Sequence, residues 1–186
     1  SVGVVFYPDV PITENTCFDS ETDVSIARLD GARSDQRTRI ERAFERQSPD
    51  GGTPTHDAYR YAYNELAEAE VIGARFAVVI TDGTPTFSLG CVGTGLISDP
   101  VDPTPLVAEA ERARTRGVNT FVIGSPGSEG ARESLSRMAE AGGTARAGCS
   151  HSGPNFCHFD MTESANFATD LRDALGTISG LTLSCA

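Results

Sequence analysis

The sequence contains no lysine, all 15 of its basic side chains being arginine. A Schiff-base lysine, a P-loop lysine and a lysine isopeptide crosslink are therefore excluded. No apolar run approaches the roughly 20 residues of a membrane-spanning helix. The opening Ser1-Val2-Gly3-Val4-Val5-Phe6 lacks the basic stretch that begins a secretory signal. A clustered basic footprint for nucleic acid is missing too. The net charge of −11 and pI near 4.6 favour a solvated acidic surface or divalent cations. No internal repeat or low-complexity tract interrupts the 186 residues. That length fits one domain with a core that needs no disulfide scaffold.

What the chain does have is five cysteines, Cys17, Cys91, Cys149, Cys157 and Cys185, in segments rich in Gly, Pro, Ser and Thr. Cysteines of cytosolic proteins tend to sit in apolar cores, so this placement points to an oxidising compartment and to export. Cys149 and Cys157 bracket a short loop whose closure would contribute roughly 2.5 kcal/mol. A zinc pair with His151 and His158 is the competing reading, but the spacing is wrong for a finger and no second pair exists. The odd count leaves one thiol whose partner is expected outside this chain.

Periodicity predicts alternating elements. Val2 to Tyr7 reads as a buried strand, with Val24 to Leu29 as its hairpin partner. A helix is expected from about Ser34, its N-cap, to Gln47, with Ile40, Ala43 and Phe44 on one face. Another begins near Thr55, carrying Tyr59, Ala62, Leu66 and Ala69. It is followed by the strand Phe76 to Ile80 and by a Gly- and Pro-rich excursion from Thr84 to Pro105. Leu106 to Ala113 marks a helix closed by Gly117, Val118 to Ile123 a strand, and Ala131 to Met138 a helix ended by Gly142-Gly143. The last helix is expected after Asp160, whose spacing to Glu163 fits a capping box, with Phe167, Leu171, Ala174, Leu175 and Ile178 turned inward. This order predicts an α/β fold with a mostly parallel sheet.

Two stretches carry chemistry: Gly51-Gly52-Thr53-Pro54-Thr55 at a helix start and Ile80-Thr81-Asp82-Gly83-Thr84-Pro85-Thr86 at a strand end. Ligands of open α/β sheets gather beyond the carboxyl ends of strands, where Asp82 lies. Two glycines let the backbone turn sharply before Thr53, so its hydroxyl can reach the same edge. A carboxylate, hydroxyls and water form a hard-oxygen set suited to Mg²⁺. Each stretch alone could be an ordinary turn. Their order, separated by one amphipathic helix and one apolar strand, is more specific.

That order resembles the von Willebrand factor A domain, whose metal-ion-dependent adhesion site takes a threonine from a Gly-Gly-Thr-x-Thr helix start and an aspartate from a Thr-Asp-Gly turn. The resemblance covers nearly the whole chain. It implies a three-layer Rossmann-like sheet, mostly parallel with one antiparallel edge strand and helices on both faces. It implies Thr53 and Asp82 as ligands of Mg²⁺, or of Mn²⁺ or Ca²⁺, with Gly52, Thr55, Gly83, Thr84 and Thr86 at the rim of the binding face. The helix from about Glu163 to Ser179 would occupy the position that slides to couple the metal site to affinity. Cysteine-bearing loops like these occur in secreted bacterial members, and a Cys17 to Cys91 bridge would cross the metal face.

The family's Asp-x-Ser-x-Ser strand has no counterpart here, because Ser1 to Tyr7 looks like the second strand. The chain is thus expected to be one such domain, residues 1–186, lacking its first strand and helix. These would be supplied by the rest of its polypeptide or a companion chain. The leading function is a non-enzymatic, metal-dependent adhesion module for a protein offering an acidic residue, with no nucleic acid and no membrane span. A structural subunit of an extracellular assembly with a vestigial metal site is the alternative. A phosphatase using Asp82 as nucleophile fits worse, since the second acid that its leaving group needs is replaced by Thr84. Gly124-Ser125-Pro126-Gly127 fails the spacing of a serine nucleophile elbow. His56, the histidine nearest the motifs, reads as solvated or capping.

Overall fold

Most of the predicted periodicity becomes structure. A computed structural model describes residues 1–9, 16–20, 23–48, 51–93 and 99–184. Among them, β1 (Val2–Val4) and β2 (Val24–Ala27) are followed by α1 (Asp35–Arg46), α2 (Thr55–Glu68) and β3 (Arg75–Thr81). A small hairpin of β4 (Phe87–Ser88) and β5 (Val92–Gly93) precedes α3 (Thr104–Thr115) and β6 (Val118–Gly124). The chain ends with α4 (Arg132–Ala141), β7 (Phe159–Asp160) and α5 (Phe167–Ser184). It divides into two units, residues 1–71 with 85–101 and residues 72–84 with 102–186.

In the first unit β1 and β2 pair antiparallel, and β4 and β5 do the same. The apolar run predicted through Tyr7 leaves the ladder after Val4, and the Phe6 amide donates instead to the Asp23 carboxylate at 2.8 Å. Ser34 caps α1 by accepting the Arg37 amide, as expected of a hydroxyl at that position. Of the face predicted for α1, Ala43 is buried, whereas Phe44 is 58% exposed and forms an edge-to-face pair with Phe6, ring centroids 4.9 Å apart. Gln36 takes the buried place, its amide donating to the carbonyls of Val2 and Ser25 and so tying α1 to the hairpin. On α2, Tyr59 and Tyr63 are buried against each other, and Tyr61 lies half-buried beside Phe18.

The second unit is built on a parallel sheet in the order β3-β6-β7. Strand residues alternate between its faces. Phe121 and Ile123 of β6 pack with Met161 and with Ala174 and Ile178 of α5, while α3 and α4 cover the opposite face of β6. Helices therefore lie on both faces of this sheet. Because α5 lies over β6 and β7, Val78 and Ile80 on the same face of the end strand β3 stay 39% exposed each.

Three further expectations are corrected across the two units. The last helix starts at Phe167, where the Asn166 side chain accepts the Thr169 amide; Asp160 ends β7 instead, its carboxylate held by Thr162 and by Arg132 at 3.0 Å. Leu175 is 41% exposed, since the apolar stripe of α5 runs through its neighbours Leu171, Ala174 and Ile178. The excursion after Thr84 contains the β4–β5 hairpin, and β7 was not foreseen either. Both consist of two-residue strands, too short to carry a period.

Two disulfides are formed, Cys149–Cys157 with Cα atoms 4.9 Å apart and Cys17–Cys91 at 5.4 Å. Cys185 lies outside the described residues. Beside the first bridge, His158 is buried, with Nδ1 2.9 Å from the Ser136 hydroxyl, and burial lowers its pKa to about 4. An unfolded histidine titrates near 6.5. The unfolded chain therefore takes up this proton first as pH falls, and the contribution is complete above about pH 6.5 and lost progressively toward pH 4. Up to about 2–3 kcal/mol is expected to disappear over that window. Urea midpoints from pH 7 to 4 should fall more gently for His158→Asn than for the wild type; parallel curves would contradict this assignment.

Candidate functional site

The threonine loop belongs to the first unit. Gly52 is required by close approach: a Cβ there would stand 2.5 Å from a ring carbon of buried Phe87 and 2.7 Å from Thr86 Oγ1. This space lets the Thr53 amide donate to Thr86 Oγ1 at 2.6 Å, and the Thr86 amide returns a bond to the Thr53 carbonyl at 3.1 Å. Thr53 itself is half-buried, and its hydroxyl has no hydrogen-bond partner among the described residues. Thr55 and Thr86, expected at an exposed rim, are buried; Thr86 holds the Thr53 amide, and the Thr55 hydroxyl has no hydrogen-bond partner among the described residues.

Helix α2 then carries the loop's supports. His56, expected to be solvated or capping, is fully buried, with Nδ1 2.9 Å from the Phe87 carbonyl. A carbonyl only accepts, so Nδ1 bears the proton. The Asp57 carboxylate accepts the Gly90 and Cys91 amides at 2.9 and 3.1 Å. Nothing local in the sequence marks these partners, which lie over thirty residues away; the only hint is that His56 and Asp57 stand in the first turn after the threonine.

The aspartate turn belongs to the second unit. Thr81 closes it, its hydroxyl donating to the Gly83 carbonyl at 3.1 Å and accepting the Gly83 amide at 3.3 Å. Ser125 braces it from β6, both its amide and its hydroxyl donating to the Thr81 carbonyl. Gly127, at φ 107°, lies so close that a Cβ would meet the Asp82 carbonyl oxygen at 2.9 Å. Asp82 stands exposed at the tip of this braced turn, with no hydrogen bond or ion pair to its carboxylate among the described residues. Gly83 and Thr84 are half-buried beside it.

The Thr53 hydroxyl in the first unit and the Asp82 carboxylate in the second, neither with a partner among the described residues, are each a hard oxygen of the kind a divalent cation such as Mg²⁺ prefers. A second group, Cys17, Asp57 and Cys91, has ligand atoms within 4.8 Å of one another but fits poorly. Its sulfurs are bonded to each other, so neither is a thiolate, and both Asp57 oxygens already accept amides. An open cleft of about 770 Å³ in the second unit, lined by Arg132, Arg146, Phe156, Phe159 and Asp173, does not include Asp82. No helix among the described residues is long and apolar enough to cross a membrane.

A parallel sheet with helices on both faces, and with Asp82 just past the end of β3, is an α/β arrangement. The chain belongs to the von Willebrand factor type A domain family, whose profile matches residues 17–171, well over half of its length. No curated protein and no solved structure matches it. Domains of this family commonly mediate protein interaction and adhesion, often bind a divalent cation, and are typically not enzymes.

Proposed function

We infer that this chain is a cation-dependent protein-binding module, one von Willebrand factor A domain whose cation is held in part by the Thr53 hydroxyl and the Asp82 carboxylate. The observation that carries this reading is that, among the described residues, neither oxygen has a protein partner while the loops bearing them are braced. A bound Mg²⁺, Mn²⁺ or Ca²⁺ supplies a coordination position that an acidic residue of a partner protein can complete. The chain's own residues do the rest. Asp82 offers negative charge and an acceptor for an ion or its water, and Thr53 a neutral oxygen. The Thr81–Gly83 bonds hold the turn that bears exposed Asp82, and the Thr53–Thr86 pair keeps the hydroxyl-bearing backbone in place. Thr84 and Gly83 form the rim beside the carboxylate.

Thr53 and Asp82 are too few to fill an octahedron with protein oxygens, and the remaining positions are assigned to water and to the partner's acidic residue. The two disulfides support an exported, extracellular or periplasmic location.

Titration of the full polypeptide with Mn²⁺, followed by water-proton relaxation, is expected to show one bound ion per chain that excess Mg²⁺ displaces and a chelator removes. No binding at any accessible concentration would refute the reading and leave the structural-subunit alternative.

A further inference from the structure

Thr53 opens a run of residues tied one after another to a single downstream segment. Thr53 exchanges two hydrogen bonds with Thr86, His56 donates to the Phe87 carbonyl, and Asp57 accepts the amides of Gly90 and Cys91. Cys91 is then fixed from its other side by the disulfide to fully buried Cys17, whose amide donates to Cys91 Sγ at 3.0 Å. The anchored turn is strained, since Cys91 is the one residue other than glycine with a positive φ, 58°, among those described. A side chain at such a φ persists only where its surroundings enforce it. Here the disulfide and Asp57 do so.

We propose that the Cys17–Cys91 disulfide and Asp57 form a redox-sensitive latch that positions the Thr53 hydroxyl, so that opening the disulfide lowers the affinity of the Thr53 site for a divalent cation. The proposal rests on the cation reading above and concerns the regulation of that site. Asp57 and Cys91 are positioning residues: they reach Thr53 only through the segment from Thr86 to Cys91. Once the sulfur–sulfur bond is broken, Cys91 can leave the left-handed region, the Asp57 bonds to the turn loosen, and the Thr86 hydroxyl is no longer held against the Thr53 amide. A phosphine is a sufficient reductant. Its phosphorus gives two electrons to the disulfide and takes the oxygen of one water, whose two protons end on the two thiols. No bond at Thr53 is made or broken.

The test compares the full chain, oxidised and phosphine-reduced, with Cys17→Ser and Asp57→Asn. Cys17→Ser leaves Cys149–Cys157 intact, and Asp57→Asn leaves both bridges intact, so a folding failure in one form does not remove the comparison. Amide exchange at Thr53 and Thr86 is expected to quicken about tenfold or more when the latch is opened, while Val79 and Val122 in the β3–β6 ladder keep their protection. Mn²⁺ affinity should fall by a similar factor. Linkage then requires that saturating Mn²⁺ make the Cys17–Cys91 bridge harder to reduce. A tenfold affinity ratio corresponds to a potential lower by about 30 mV, readable by peptide-level thiol alkylation. A disulfide with a merely structural role would not respond to the ion. Unchanged exchange at Thr53 and Thr86, or equal Mn²⁺ binding by both forms with no shift in potential, would overturn the latch and leave the cation reading standing. No Mn²⁺ binding by either form would overturn both.

Discussion

Asp82→Ala is expected to lose most of the chain's divalent-cation affinity while leaving its stability nearly unchanged. Partners in the outer shell of a metal site typically cost about 10–100-fold in affinity when removed, and a carboxylate that contacts the ion or its water should cost at least as much. The stability half of the expectation follows from the surroundings. Asp82 is exposed and has no hydrogen bond or ion pair among the described residues, and the turn beneath it is held by Thr81, Ser125 and the Gly127 contact. Surface substitutions without such partners usually change stability by no more than about 0.5 kcal/mol. Mn²⁺ titration and a urea melt on the same sample check both halves. Intact binding would remove Asp82 from the site, and a large loss of stability would make its role structural.

Gly52→Ala and Gly83→Ala are expected to part company, although the two glycines flank the motif residues in similar ways. A Cβ at position 52 would meet Phe87 and Thr86 at 2.5 and 2.7 Å, and neither neighbour is free to yield: Phe87 is 1% exposed and the Thr86 hydroxyl accepts the Thr53 amide. Overpacking of this kind typically costs about 1–3 kcal/mol. The displaced Thr86 should also loosen Thr53, so cation affinity should drop with stability. A Cβ at position 83 meets nothing within 4 Å, and the backbone there is not in the left-handed region. Gly83→Ala should therefore be close to neutral in both respects. Denaturant unfolding with Mn²⁺ titration of the two variants decides the matter; equal effects would mean that the Gly52 contact is not the constraint described.

That contrast also marks how far the sequence could be read. The long elements were legible because their periods were: α1 with its Ser34 cap, α2 after the threonine loop, and the apolar strands that became β3 and β6. The positions of Thr53 and Asp82 followed, since each is defined by the element beside it. What stayed hidden is contact at long range. His56 reads as a solvated or capping histidine until its Nδ1 is seen to bond the Phe87 carbonyl, thirty-one residues on, in a fully buried place. Asp57 carries no mark in the sequence of the Gly90-Cys91 turn whose amides it accepts. Phe44 and Leu175 fit their helical periods yet face outward, because periodicity gives a face without saying how much of it a neighbour covers. The two-residue strands of the hairpin and β7 have no period at all, and their pairing depends on partners already in place.

The central claim is that the Thr53 hydroxyl and the Asp82 carboxylate hold a cation. An anomalous-scattering map from crystals of the full polypeptide grown with Mn²⁺ tests it most directly. A peak is expected whose coordinating oxygens, at roughly 2.0–2.6 Å, belong to both of these side chains or to waters bound to them. A peak at Cys17, Asp57 and Cys91 instead, or none at either motif, would contradict it.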